Sequence, residues 1–136
     1  MQRGSETILL VEDDPQLRQL SSSVLARCGY KVLLASTPEE GLAITRANLR
    51  EIKLLVTDVV MPRMNGRQLA EQILRIAPEV RVLYISGYTN NAIVHYGVLE
   101  SGLSFLPKPF TLAALVAKVR EVLDAAVGAA QGQQIE

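Results

Sequence analysis

Short apolar runs recur along this chain, with amphipathic stretches filling the gaps between them. Residues 8–11, 32–35, 54–57, 82–85 and 103–106 are apolar at nearly every position and too brief for buried helices. They predict five strands covered on both faces. The intervening segments carry helical punctuation. Asp14-Pro15 supplies an N-cap and a first-turn proline for a helix with Leu17, Leu20, Val24 and Leu25 on one face, and Gly29 ends it. Thr37-Pro38-Glu39-Glu40 reads as cap, first-turn proline and capping-box glutamate for a helix through Ala47. Asn65-Gly66 opens a third helix with Leu69, Ile73 and Ile76 at helical spacing, stopped by Pro78. A weaker pattern over 91–100, closed by Gly102, predicts a fourth. Thr111 caps a last helix bearing Leu112, Leu115, Val119 and Val122. Five such alternations predict an α/β fold: a doubly wound five-stranded parallel sheet with right-handed crossovers and helices on both sides.

The 136 residues, 49 % of them hydrophobic, suit one domain with a sizeable core and leave little for a second. Its expected extent is 7–124. Residues 1–6 read as an N-terminal extension or cloning remnant. Residues 125–136, mostly Ala, Gly and Gln with few anchoring hydrophobes, read as a flexible tail. Lys+Arg and Asp+Glu both number 14, which leaves no basic field to gather nucleic acid. Cys28 is the only cysteine, so an internal disulfide and a cysteine metal cage are both excluded; it reads as a small buried apolar group in a reducing compartment. No run approaches the ~18 unbroken apolar residues of a membrane span. Met1-Gln2-Arg3-Gly4-Ser5-Glu6 lacks an apolar signal core, and a soluble, cytoplasmic protein is the expectation.

Chemistry concentrates where the predicted strands end. Glu12 and Asp13 follow the first strand, Asp58 the third, Ser86 the fourth and Lys108 the fifth. In an open parallel sheet the ligand crevice lies outside the carboxyl ends of the strands, so these residues can converge on one pocket. Three carboxylates and an ammonium held that close resist shared ionisation unless a cation joins them, and the pocket therefore asks for a metal. Asp14, just before a first-turn proline, has a complete explanation as an N-cap. Ser86, followed by Gly87, reads equally as a turn hydroxyl or a site residue. Lys108 stands between Pro107 and Pro109, which constrain its backbone. His95 has no second His or Cys at ligand spacing, which argues against a metal role.

The set Glu12-Asp13, Asp58, Ser86 and Lys108, in this order, resembles that of response-regulator receiver domains. Two flanking motifs agree: Val56-Thr57-Asp58-Val59-Val60-Met61-Pro62-Arg63-Met64-Asn65-Gly66, and Lys108-Pro109-Phe110. The resemblance runs from Thr7 to about Asp124. It implies a flavodoxin-like (βα)5 fold with strand order 2-1-3-4-5. It also implies that Asp58 accepts a phosphoryl group from a phosphohistidine on a histidine kinase or histidine phosphotransfer domain. Magnesium would be held by Asp13, Asp58 and the backbone carbonyl of Val60, with Glu12 acting through water. Lys108 and Ser86 would bind the phosphoryl oxygens, and Phe105 would be the aromatic that swings inward. The readout surface would be the helix over 91–100, the fifth strand and the final helix, including His95 and Phe105.

Some details depart from the family's commonest pattern. Glu12 replaces the first Asp of the acidic pair, and Gly87-Tyr88 follows Ser86. Together with Phe105-Leu106-Pro107-Lys108-Pro109-Phe110-Thr111, this looks most like receivers attached to hybrid sensor histidine kinases. By resemblance Val60 and Tyr88 flank the phosphoryl group and tune its lifetime by hindering water. On this reading the domain catalyses at most its own phosphorylation and dephosphorylation, and contacts neither nucleic acid nor membrane; a phosphorylation-dependent dimer stays open. Two alternatives remain. A haloacid-dehalogenase-type phosphohydrolase would need a second Asp at the place of Val60 and length for a cap. A vestigial interaction domain would leave the full acid and lysine set without a use.

Overall fold

The computed structural model describes residues 3–86 and 104–125. Its elements run β1 (Thr7–Val11), α1 (Pro15–Arg27), β2 (Lys31–Ala35), α2 (Pro38–Ala47), β3 (Ile52–Asp58), α3 (Gly66–Ile76), β4 (Arg81–Ser86), β5 (Phe105–Pro107) and α4 (Leu112–Asp124). All strand pairs are parallel and the sheet order is β2-β1-β3-β4-β5, as expected. The expected helix over 91–100, with His95, Tyr88 and Gly102, lies outside the described residues, as does the tail from 126.

Successive strand residues point to opposite faces, so each strand feeds two cores. Ile8, Leu10, Leu54, Val56, Leu83 and Ile85 pack with Val24, Leu25 and Cys28 near α1 and with Leu115 and Val119 of α4. Leu9, Val11, Leu55 and Tyr84 pack with Leu42 of α2 and Leu69 and Ile73 of α3. The helices start as their sequences predict. Asp14 accepts from the Gln16 and Leu17 amides, Thr37 from Glu40 and Thr111 from Ala114. Beyond Cys28, Gly29 takes a φ of 106°, the left-handed conformation that lets α1 end there.

Three expectations need correction. Leu20 is 48 % exposed, and the buried stripe of α1 is Ser21, Val24 and Leu25. The glutamate of the expected capping box is largely diverted: Glu40 Oε1 accepts chiefly from the Ser36 amide and hydroxyl, with the Thr37 backbone a lesser partner. A complete box forms at α3, where Asn65 and Gln68 bond each other's amides at 2.8 and 3.0 Å. Strand bounds also move. β3 begins at Ile52, because the exposed Lys53 interrupts the apolar run without interrupting the strand, and β5 is set C-terminal to the expected run, at Phe105–Pro107.

The segment before β1 is knitted into the sheet's amino end. Gly4 N–H donates to Cys28 O at 3.0 Å, and Lys31 N–H to Glu6 O at 3.1 Å. Arg120 of α4 forks onto Glu6, Nη2 to Oε2 at 2.7 Å and Nη1 to Oε1 at 3.2 Å, and also reaches the Tyr30 hydroxyl.

Candidate functional site

The carboxyl ends of β1, β3 and β5 bring the expected residues together. Lys108 Nζ lies 2.7 Å from Asp58 Oδ2 and 3.5 Å from Glu12 Oε1. Glu12, Asp13 and Asp58 each offer a carboxylate oxygen within 4.8 Å of the others. Glu12 and Asp58 are 2 % and 5 % exposed, whereas Asp13 faces solvent. Ser86 is buried at the end of β4, and its carbonyl accepts from Lys108 N–H at 2.8 Å. Phe105 is half-buried against the α2/α3 core, and the Val60 side chain is exposed. Asp14 caps α1, and its amide donates to Glu12 Oε2 at 3.1 Å.

The backbone around the acids is tightly held. Arg18 Nη1 donates to Glu12 O at 2.7 Å. Val59 N–H donates to Ile85 O at 2.8 Å, and Gly66 N–H to Val59 O at 2.7 Å, so the loop after Asp58 folds back onto the strand end. The Thr57 hydroxyl donates to Asp58 O at 3.0 Å. Neither Thr57 nor Arg18 is found by reading charges at strand ends. Thr57 carries a faint signal as the one hydroxyl in its apolar run.

Electrostatics explain what the arrangement can do. Burial, then the neighbouring Asp58 charge, pushes the Glu12 carboxyl up to about 8. Burial also raises Asp58, against the opposing pull of Lys108. Burial alone would lower Lys108, but its hydrogen bond to Asp58 and the acid charges outweigh that and raise it. With all three acids ionised the cluster carries two negative charges more than Lys108 balances. A hard divalent cation with oxygen ligands fits such a donor set, since it relieves the repulsion and favours the charged forms.

A parallel five-stranded sheet in this order, with acids and a lysine at its carboxyl edge, defines a signalling receiver architecture. Residues 8–120 match the family model described as the response regulator receiver domain, and the chain belongs to that family. It is 36 % identical over 121 residues to the sensor kinase CckA of Brucella abortus, covering 89 % of this chain but 13 % of that protein. With the response regulator receiver protein CpdR of the same organism it shares 33 % identity over 119 residues, covering 88 % of this chain and 98 % of CpdR. Among solved structures, the receiver domain of the hybrid histidine kinase CckA superposes with a TM-score of 0.67 at 32 % identity, covering 87 % and 99 % of the two chains. A receiver domain protein from Clostridium thermocellum reaches 0.77 at 27 % identity, covering 88 % and 94 %. Among the described residues no helix is long and apolar enough to cross a membrane.

Proposed function

We propose that this domain is the phosphoacceptor of a two-component phosphorelay, with Asp58 as the accepting side chain. The observation that carries the reading is the 2.7 Å contact of Lys108 with Asp58, beside two further carboxylates at the sheet's carboxyl edge. The donor is a phosphohistidine on a histidine kinase or histidine phosphotransfer domain. An Asp58 oxygen attacks phosphorus, the P–N bond breaks, and its electron pair returns to the imidazole, leaving an aspartyl phosphate.

The chain's own groups position and neutralise the transferring group. Lys108 passes from the free carboxylate to a phosphoryl oxygen, and Ser86 donates to another. Asp13, Asp58 and the Val60 carbonyl would hold magnesium directly, with Glu12 acting through water. When bound, that ion supplies charge neutralisation for the phosphoryl oxygens. Phe105 then shifts inward, and the surface of the segment 91–100, β5 and α4 reports the change. Val60 and Tyr88 set the lifetime of the phosphorylated form. Residues 7–124 form the acting unit, located in the cytoplasm. The place at which a phosphohydrolase of the haloacid-dehalogenase type needs its general acid holds Val60, which favours a signalling acceptor over a turnover enzyme.

Incubation with acetyl phosphate, with and without magnesium, followed by intact-mass measurement tests the reading. One added phosphoryl group is expected in magnesium, and none in Asp58→Asn. A wild-type chain that stays unmodified, or an adduct that survives in the Asn variant, would refute it.

A further inference from the structure

We propose that Thr57 is a positioning residue for phosphoryl acceptance, its hydroxyl setting the orientation of the Asp58 main chain. Thr57 is fully buried. Register places it in a row across the sheet, Ala35, Val11, Thr57, Tyr84 and Phe105, whose other members pack into or against the α2/α3 core. Packing alone favours valine there, and a hydroxyl in such a row is costly unless bonded. Its partner is the carbonyl of Asp58, at 3.0 Å.

That carbonyl belongs to the Asp58–Val59 peptide, which is constrained from two more directions. Val59 N–H is tied to Ile85 O at 2.8 Å. Gly66 presses on the Asp58 carbonyl so closely that a side-chain carbon could not be added there. From this peptide the Asp58 side chain leads to Lys108, and the chain leads on to Val60. Of the three constraints, the Thr57 hydroxyl is the one donated by a side chain, so it can be removed while the main chain is kept.

The inference rests on Asp58 being the phosphoacceptor. Without the hydroxyl the peptide keeps two of its three constraints and can turn only in part. A misplacement of about 1 Å can cost on the order of 100-fold in rate, so a partial turn predicts roughly a tenfold loss. The test compares Thr57→Val, which keeps the shape and loses the hydroxyl, with Thr57→Ser, which keeps the hydroxyl and loses the methyl. Three quantities are measured on the full chain: the rate of modification by acetyl phosphate in magnesium, the thermal midpoint, and the carbonyl 13C resonance of Asp58 without magnesium.

The Val variant should react roughly tenfold more slowly, with the Asp58 carbonyl resonance moved upfield as its hydrogen bond is lost. The Ser variant should keep both the rate and the resonance even though its midpoint falls. A Val variant reacting at the wild-type rate, or rates that follow the midpoints with Ser slower than Val, would reduce Thr57 to a structural residue. A wild-type chain that takes no phosphoryl group overturns the phosphoacceptor reading itself, and this role falls with it.

Discussion

Gly66→Ala tests how closely the start of α3 is pressed against the end of β3 at Asp58. The added methyl would overlap the Asp58 carbonyl oxygen and sit 3.0 Å from the carbonyl carbon and 3.1 Å from Val59 Cα. All three are backbone atoms, so no side chain can swing away; either the first turn of α3 or the Asp58 peptide must move. Overpacking of this kind costs about 1–3 kcal/mol. Stretching the 2.7 Å bond from Gly66 N–H to Val59 O adds about 1 kcal/mol. Alanine's better helix propensity returns at most about 1 kcal/mol. The net expectation is a loss of roughly 1–3 kcal/mol in urea unfolding followed by circular dichroism. Because the displaced atoms belong to Asp58, the proposed acceptor, modification by acetyl phosphate should also slow by about two orders of magnitude where the variant is still folded. A variant within about 0.5 kcal/mol of wild type and with an unchanged rate would show that this contact is not tight, and the account of the loop would be wrong.

The raised Glu12 carboxyl sets a pH dependence whose sign follows from its position. Between the reference value of 4.5 and about 8, the folded state holds a proton that the unfolded chain has released, so stability falls as pH rises through that window. Thermal midpoints in chelator should drop from pH 5 to 8. Magnesium should flatten the drop by favouring the charged acids, and Glu12→Gln should reduce it, leaving the part that the raised Asp58 contributes. A flat or rising profile in chelator would contradict the assignment. At the opposite end of the sheet Glu6 is held down at about 2, chiefly by its hydrogen bonds to Arg120, so its contribution is complete above the reference value of 4.5 and fades as pH falls below it. Arg120→Met should cost about 2 kcal/mol at pH 7 in chemical denaturation, the worth of a partly buried forked pair, and should abolish that acid-side decline. A cost under about 0.5 kcal/mol would place the pair among ordinary surface ion pairs.

What could be read from the chain and what could not divide along physical lines. Caps and stops act within a few residues, so Asp14-Pro15, Thr37, Asn65, Thr111 and Gly29 mark the helix ends where the structure has them. The direction in which a helix faces is less determined by its own residues. Leu20 and Ser21 lie one step apart on α1, and the surrounding sheet, not hydrophobicity, decides that the serine goes inside. Glu40 largely fails as a box residue because Ser36 offers it both an amide and a hydroxyl, a competition invisible to the four-residue pattern. The site was legible because strand ends are legible and a parallel sheet gathers them on one edge, which is how Glu12, Asp13, Asp58 and Lys108 meet. The Arg120–Glu6 fork spans 114 positions with no periodicity to join them, and the Thr57 bond hides inside a residue already accounted for as strand.

Leu54, Leu55 and Val56 are neighbours in the chain, yet the first and third belong to one apolar compartment and the second to the other. The sheet acts as a partition wall, and Asp58 is set in its central panel. Asp58 has the parity of Leu54 and Val56, so its side chain leaves the wall on the α1 and α4 side, while its main chain ends the strand that both layers share. A change of volume confined to one room is therefore expected to leave the other undisturbed.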